Sequence, residues 1–276
     1  MSSSADIRSR GKALRKQTKS TKQSMLVGGL TLVVFLVLWE LLPTIGVLNR
    51  VLIPTLTDTI WGLGQLVSGG YWWEDLGSTL SSVVIAWTIG VTFGITMGVT
   101  LGTSPFIRTA ITPYAIALQA LPKIVLAPVL IGALGFGSQS KIAIAVAICF
   151  FPVWINTMVG LALPSAAEFT FMKSLNASRV QVFRKLQLPS SVPIVLVGMK
   201  HAMLLSFTGV LVAEILSSAS NGLGKLVKEF SLQLNMPLSL AVITVVLTIA
   251  VSLVSIMDVL ERKVVFWSES ERGKKS

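Results

Sequence analysis

Six apolar stretches separated by short polar punctuation dominate the chain, at roughly residues 25–42, 79–101, 111–134, 142–163, 192–216 and 238–257. A helix rises about 1.5 Å per residue, so about 20 apolar residues span the hydrocarbon core of a bilayer. Each stretch is long enough for one crossing. The pattern predicts an all-α polytopic membrane protein with about six transmembrane helices and little room for a soluble domain. The first stretch follows a basic leader, as a signal peptide would. It ends in "LWELLP" rather than a small-residue cleavage site, and so reads as a retained helix.

Composition agrees: 53% of residues are hydrophobic and 13% charged, outside the usual soluble range. Cys149 is the one cysteine and lies within the fourth stretch, which excludes a disulfide framework or a thiolate metal cluster. The net charge of +11 would suggest nucleic acid on a soluble protein. Its distribution points elsewhere. Basic residues crowd the segment before Met25 (seven against Asp6), Arg108, the connection with Lys173, Arg179, Arg184 and Lys185, and the tail from Arg262 to Lys275. In a six-span topology all of these fall on one side, so the positive-inside rule puts both termini and those connections in the cytoplasm. Asp58, Glu74 and Asp75 fall on the other side, beside Trp61, Tyr71, Trp72 and Trp73, which suit an interfacial aromatic belt. The expected organisation is a basic cytoplasmic segment 1–24 lying against anionic lipid, a transmembrane domain 25–257, and a charged cytoplasmic tail 258–276. No nucleic-acid partner is expected.

Within the spans, Gly90, Gly94, Gly98 and Gly102 recur every fourth residue, tracked by Thr88, Thr92, Thr96 and Thr100. That spacing aligns the glycines on one helix stripe, where a second backbone can approach closely. The third stretch carries Pro113, Pro122 and Pro128, whose freed carbonyls are tolerated in a membrane only inside protein or beside water, so an interior helix is expected. Lys123 sits halfway along it and should face a pathway or a partner. The fifth stretch holds Lys200, His201 and Glu214. Fourteen residues of helix separate the lysine from the glutamate by about 21 Å, so each needs its own partner or reaches for its own membrane surface. With Ser217 and Ser218 in the polar turn "LSSASNGLG", these residues and Lys123 are the candidate translocation pathway.

The connection 164–191 is far longer than the usual 4 to 6 residues. Leu175, Val180, Val182, Phe183 and Leu186 alternate there with Lys173, Arg179, Arg184 and Lys185, which predicts a short amphipathic helix pair interrupted at Asn176, with Pro189 and Pro193 opening the fifth span. No catalytic constellation accompanies it: H-E-x-x-H, G-x-S-x-G and Walker A sequences are all missing. The chain reads as a transport subunit rather than an enzyme.

The same connection carries a family resemblance. Permease subunits of binding-protein-dependent ATP-binding-cassette importers have a cytoplasmic loop with the pattern E-A-A, three residues, G, nine residues, I-x-L-P. Here Leu186, Leu188 and Pro189 take the final positions in register, Asn176 takes that of the glycine, and Thr170, Phe171 and Met172 stand in place of E-A-A. "LNASRVQVFRKLQLP" resembles the branch serving nitrate, sulfonate and taurine, as do "ALPKIVLAPVLIGALGFGSQSKI" and "LVAEILSSASNGLGKLV". The resemblance implies a type I importer permease fold in the plasma membrane and a small solute, an anion of the nitrate, sulfonate or taurine kind. It implies a second permease copy or paralogue, two ATP-binding subunits that carry ATP and Mg, and an extracytoplasmic solute-binding protein. It also implies an ATPase-coupling role for Lys173, Ser174, Leu175, Asn176, Ala177, Ser178, Arg179, Phe183, Leu188 and Pro189. The competing reading is a channel or secondary carrier that works without ATP, with Lys123 and Glu214 as permeation charges.

Overall fold

A computed structural model describes residues 26–70, 72–217 and 221–265. The basic leader, the end of the charged tail, Tyr71 and Ser218 lie outside the described residues. The elements are α1 (Leu26–Thr44), α2 (Leu56–Gly69), α3 (Trp73–Gly102), α4 (Pro105–Ala120), a 3-10 turn (Lys123–Leu126), α5 (Ala127–Leu134) and α6 (Ser138–Leu161). They continue with α7 (Ala166–Ser174), α8 (Arg179–Val182), a widened π turn (Phe183–Gln187), α9 (Leu188–Leu216), α10 (Leu223–Leu232) and α11 (Met236–Val264).

Five helices are long and apolar enough to cross a membrane: α1, α3, α6, the continuous 38-residue run Arg179–Leu216, and α11. The third apolar stretch is different from the single interior helix expected. It forms two helices bent by 75° at the break between Ala120 and Lys123. Leu121 is extended (φ −63°, ψ 135°), the conformation that a following proline imposes on its predecessor, and Pro122 therefore ends α4. Pro113 is carried inside α4, and Pro128 sits in the first turn of α5, where its missing N–H is no loss. Within the single chain α4 buries little beyond Ala115.

The core is the packing of α3, α6 and α9. The glycine stripe of α3 meets α6 throughout: a Cβ on Gly94 would come 2.8 Å from both the Phe150 carbonyl oxygen and Val153 Cβ. Gly209 brings α9 equally near α6, with Ala145 Cα 2.8 Å from where its Cβ would be. Small residues let the backbones touch, and dispersion then acts over the whole seam. The accompanying threonines lie outside it, exposed, each hydroxyl donating to the carbonyl one turn earlier, as Thr92 does to Thr88 at 2.8 Å. Val83, Ala86, Phe207, Val210 and Met257 close the centre, where α11 leans in.

Two helices fall in stretches the hydrophobic pattern leaves as connections. α2 opens with a capping box, the Thr55 hydroxyl accepting from Asp58 N while the Asp58 carboxylate accepts from Thr55 N, and ends at Gly70 in the left-handed region. It packs on α11, where Gly62 faces the Pro237 carbonyl. α10 buries Leu223 and Leu226 against Leu66, Trp72, Leu238 and Val242. Trp72 is thus a core residue, while Trp61 and Trp73 are exposed. α1 stands at the edge, almost wholly exposed, tied by Trp39 Nε1 donating to the Pro54 carbonyl (3.1 Å) and Thr57 Oγ1 donating to Glu40 (2.9 Å).

Candidate functional site

The long connection is built from local rules. Ser165 caps α7: its hydroxyl accepts from Glu168 N, and Glu168 in turn accepts from Ser165 N at 2.6 Å. Those bonds from the Ser165 backbone and hydroxyl hold the Glu168 carboxyl below its ordinary range. α7 ends at Ser174 and the turn after it is closed by Asn176, which adopts φ 49°; Asn176 N donates to the Lys173 carbonyl (2.9 Å) and Ala177 N to that of Met172 (3.1 Å). Asparagine enters this left-handed region at modest cost, so it closes the turn where the family pattern has glycine. A second capping box, Ser178 with Gln181, restarts the helix at Arg179.

The helix then runs without interruption to Leu216. Pro189 has no N–H to give, and the i→i+5 turn just before it, closed by Leu188 N donating to the Phe183 carbonyl, carries the helix past. The fifth span therefore begins thirteen residues earlier than its apolar run indicates, at Arg179 rather than 192, and Pro193 lies inside the helix. Arg179, Phe183, Leu188 and Pro189 belong to that helix. Lys173, Ser174, Leu175 and Asn176 lie exposed on α7 and the turn, and Ala177 is half-buried beside Ser178. Phe171, Leu175 and Val180 are apolar yet more than 60% exposed, on a segment that also carries Lys173, Arg179, Arg184 and Lys185. Large exposed apolar side chains beside charged ones are what a protein partner covers.

At the opposite end of α9, Glu214 is fully buried. Its carboxylate accepts from Lys141 Nζ (3.1 Å), Thr79 Oγ1 (2.9 Å) and Gly224 N (2.9 Å). The equally buried Lys141 also donates to Ser78 Oγ (3.0 Å) and the Asn221 carbonyl (3.0 Å). Asp75 accepts from Gly222 N (2.7 Å), and Thr79 from Leu223 N (2.9 Å). The starts of α3, α6 and α10 and the end of α9 thus meet on one charged pair whose lone pairs and protons are largely satisfied. A buried charge is tolerable on that condition.

The other candidate pathway residues lie apart. Lys123, half-buried at the bend, donates to the Gln119 carbonyl (2.8 Å) and lies 4.8 Å from the centre of the Phe151 ring. Lys200 pairs with Asp258 of α11, and His201 beside it is exposed. Ser217 is buried with its hydroxyl unpaired among the described residues. Lys141 escaped the sequence reading because it stands at the polar threshold of the fourth stretch, like any interfacial lysine. Its signal is only that Glu214 needs a cation somewhere.

The architecture is that of an integral membrane protein in which the second half of the long connection is the N-terminal extension of a core span. The same fold occurs in a solved structure of the MetNI methionine ABC transporter, with a TM-score of 0.61 over 69% of this chain and 94% of that one at 14% identity. Residues 90–266 match the binding-protein-dependent transport system inner membrane components, and the chain belongs to that family. It is 31% identical to the riboflavin transport system permease protein RibX of Chloroflexus aurantiacus, covering 87% of this chain and 89% of that protein. It is 26% identical to the taurine transport system permease protein TauC of Escherichia coli, covering 86% and 88%.

Proposed function

We propose that this inner-membrane subunit forms half of the pore of an ATP-driven importer and is moved through residues 164–191. One observation carries the reading: the second half of the loop and the fifth span form one continuous helix, from Arg179 to Leu216. A push on the start of that helix is therefore delivered along α9 toward the Glu214 network, about 50 Å away at 1.5 Å per residue. The partner supplying it is an ATP-binding subunit, one for each of two permease copies or paralogues, with ATP and Mg held there and not on this chain. An external solute-binding protein delivers the substrate. Both termini and the loop face the cytoplasm, as the distribution of Lys and Arg supports.

Replacing Ala177 with Glu puts a charge among the exposed apolar side chains of the loop. In the assembled transporter this abolishes substrate-stimulated ATP hydrolysis while leaving the subunit in the membrane. Unchanged stimulation would refute the coupling role and favour a carrier that works without ATP.

For the cargo, we propose a small anion of the sulfonate kind. Lys123, at the bend of the broken span with no carboxylate partner among the described residues, and the likeness to TauC support it. The likeness to RibX supports a second reading, a neutral heteroaromatic vitamin-type solute. Uptake of labelled taurine against labelled riboflavin, in cells with and without the gene, separates the two.

A further inference from the structure

Two hollows that share Arg108 and Ala162 in their walls lie beside the α3–α4 turn. The larger, about 1020 Å³, is bordered by Thr103 to Pro105 on one side and α7 and α8 on the other, and carries Arg108, Lys173, Arg179 and Arg184. None of these cations forms an ion pair with another described residue, and no carboxylate lines the hollow. The nearby Glu168 faces its own cap at Ser165. The smaller hollow, about 280 Å³, is a slot between α4 and α6, walled by Thr112 and Ile116 on the first and Ile155, Met158 and Val159 on the second. Thr109 and Thr112 spend their hydroxyls on the carbonyls of Pro105 and Arg108, so their donors are already used within α4. Arg108 belongs to both hollows and is the one charged residue of the slot.

We propose that this site binds one anionic phospholipid, its headgroup phosphate held among Arg108 and the loop cations and one acyl chain laid in the slot. The ligand must join an anion to an apolar tail, because the four unbalanced cations and the apolar slot share a wall at Arg108. A phosphate alone leaves the slot empty, and an acidic protein surface does not reach between two membrane helices. Basic side chains at a membrane surface each strengthen attraction for anionic lipid. The bound lipid bridges the α3–α4 turn to the loop. This goes beyond the transport role and does not depend on which solute is carried.

The test uses the intact transporter, with its ATP-binding subunits, in lipid discs doped with phosphatidylglycerol or phosphatidylcholine bearing the same photoreactive acyl chain. Crosslinks mapped by mass spectrometry should fall on α6 between Ile155 and Leu161, with phosphatidylglycerol exceeding phosphatidylcholine roughly fivefold. Arg108→Gln should reduce the excess about fivefold, Arg108→Lys should keep it, and Val159→Trp, which fills the slot and spares every cation, should remove the α6 crosslinks. Equal labelling by the two lipids, or labelling indifferent to Arg108→Gln, overturns the proposal. So does loss of the label to millimolar inorganic phosphate, which would make it a free-anion site. Labelling seen only after the ATP-binding subunits are stripped away would show that an acidic partner surface covers the cleft, and overturns it too.

Discussion

Lys141 Nζ lies 3.1 Å from Glu214 Oε1, with both side chains shut off from solvent. The pair joins the first turn of α6 to the last turn of α9, and Gly224 N and Thr79 Oγ1 complete the carboxylate's shell. Removing one partner leaves an uncompensated buried charge, which costs about 3–5 kcal/mol. Lys141→Met and Glu214→Gln should each destabilise the purified transporter by about that amount. The double variant should cost clearly less than the sum, because neither charge is then stranded. Thermal unfolding of the four proteins measures the cycle; strict additivity would mean that the two groups do not depend on each other.

The α3 seam predicts opposite signs for the same substitution. Gly94→Ala drives a methyl to within 2.8 Å of the Phe150 carbonyl, and overpacking of this kind costs about 1–3 kcal/mol. Gly77→Ala, on the same helix with nothing within 4 Å, should instead stabilise by about 0.5–1 kcal/mol, since alanine loses less backbone freedom than glycine on folding. Melting temperatures of the two variants should therefore move apart.

Asn176 holds φ 49° at the loop's turn. Asn176→Gly should keep both loop structure and substrate-stimulated ATP hydrolysis. Asn176→Val places a β-branched residue in the left-handed region at a cost of about 1–2 kcal/mol and should weaken stimulation without changing the amount of subunit in the membrane. Equal hydrolysis in all three would show that the turn is not transmitted to the ATPase.

Outside the spans, Arg50 grips Asp58 through two hydrogen bonds of 2.9 and 2.8 Å, and chiefly for this reason the Asp58 carboxyl is held down at about 2. Its lowered value means that the contribution to the α2 start is complete above the ordinary carboxylate range near pH 4 and is lost as pH falls toward 2. Hydrogen exchange of the first-turn amides of α2 should quicken over that window. In Arg50→Gln the quickening should begin at higher pH.

Much of the fold was legible because burial in a bilayer is nearly a one-dimensional property. Residues 238–257 need no neighbour to be recognised as a span, and the Gly90 to Gly102 period states a close helix contact without naming the partner. Capping by Thr55, Ser165 and Ser178 is local chemistry as well, yet none of the three stood out in the apolar pattern, and α2 was passed over because it is too short to cross. The loop's register from Asn176 to Pro189 was read from its resemblance to the family's loop pattern. The helix pair interrupted at Asn176 was legible too, but not the continuity of its second member with the fifth span, since an i→i+5 turn that carries a helix past Pro189 leaves no mark in the apolar pattern.

By itself the sequence determined the class of protein, about six crossings and the glycine seam, because each depends on hydrophobicity or spacing, and it carried the loop by which the chain resembles its family. Only the tertiary structure decided that α6 is what the seam meets, that the third span bends at Pro122, and that Lys141 is the cation of Glu214. A buried carboxylate demands a counter-charge, but which lysine satisfies it depends on where α3, α6 and α9 end in space, and no periodicity along the chain encodes that meeting.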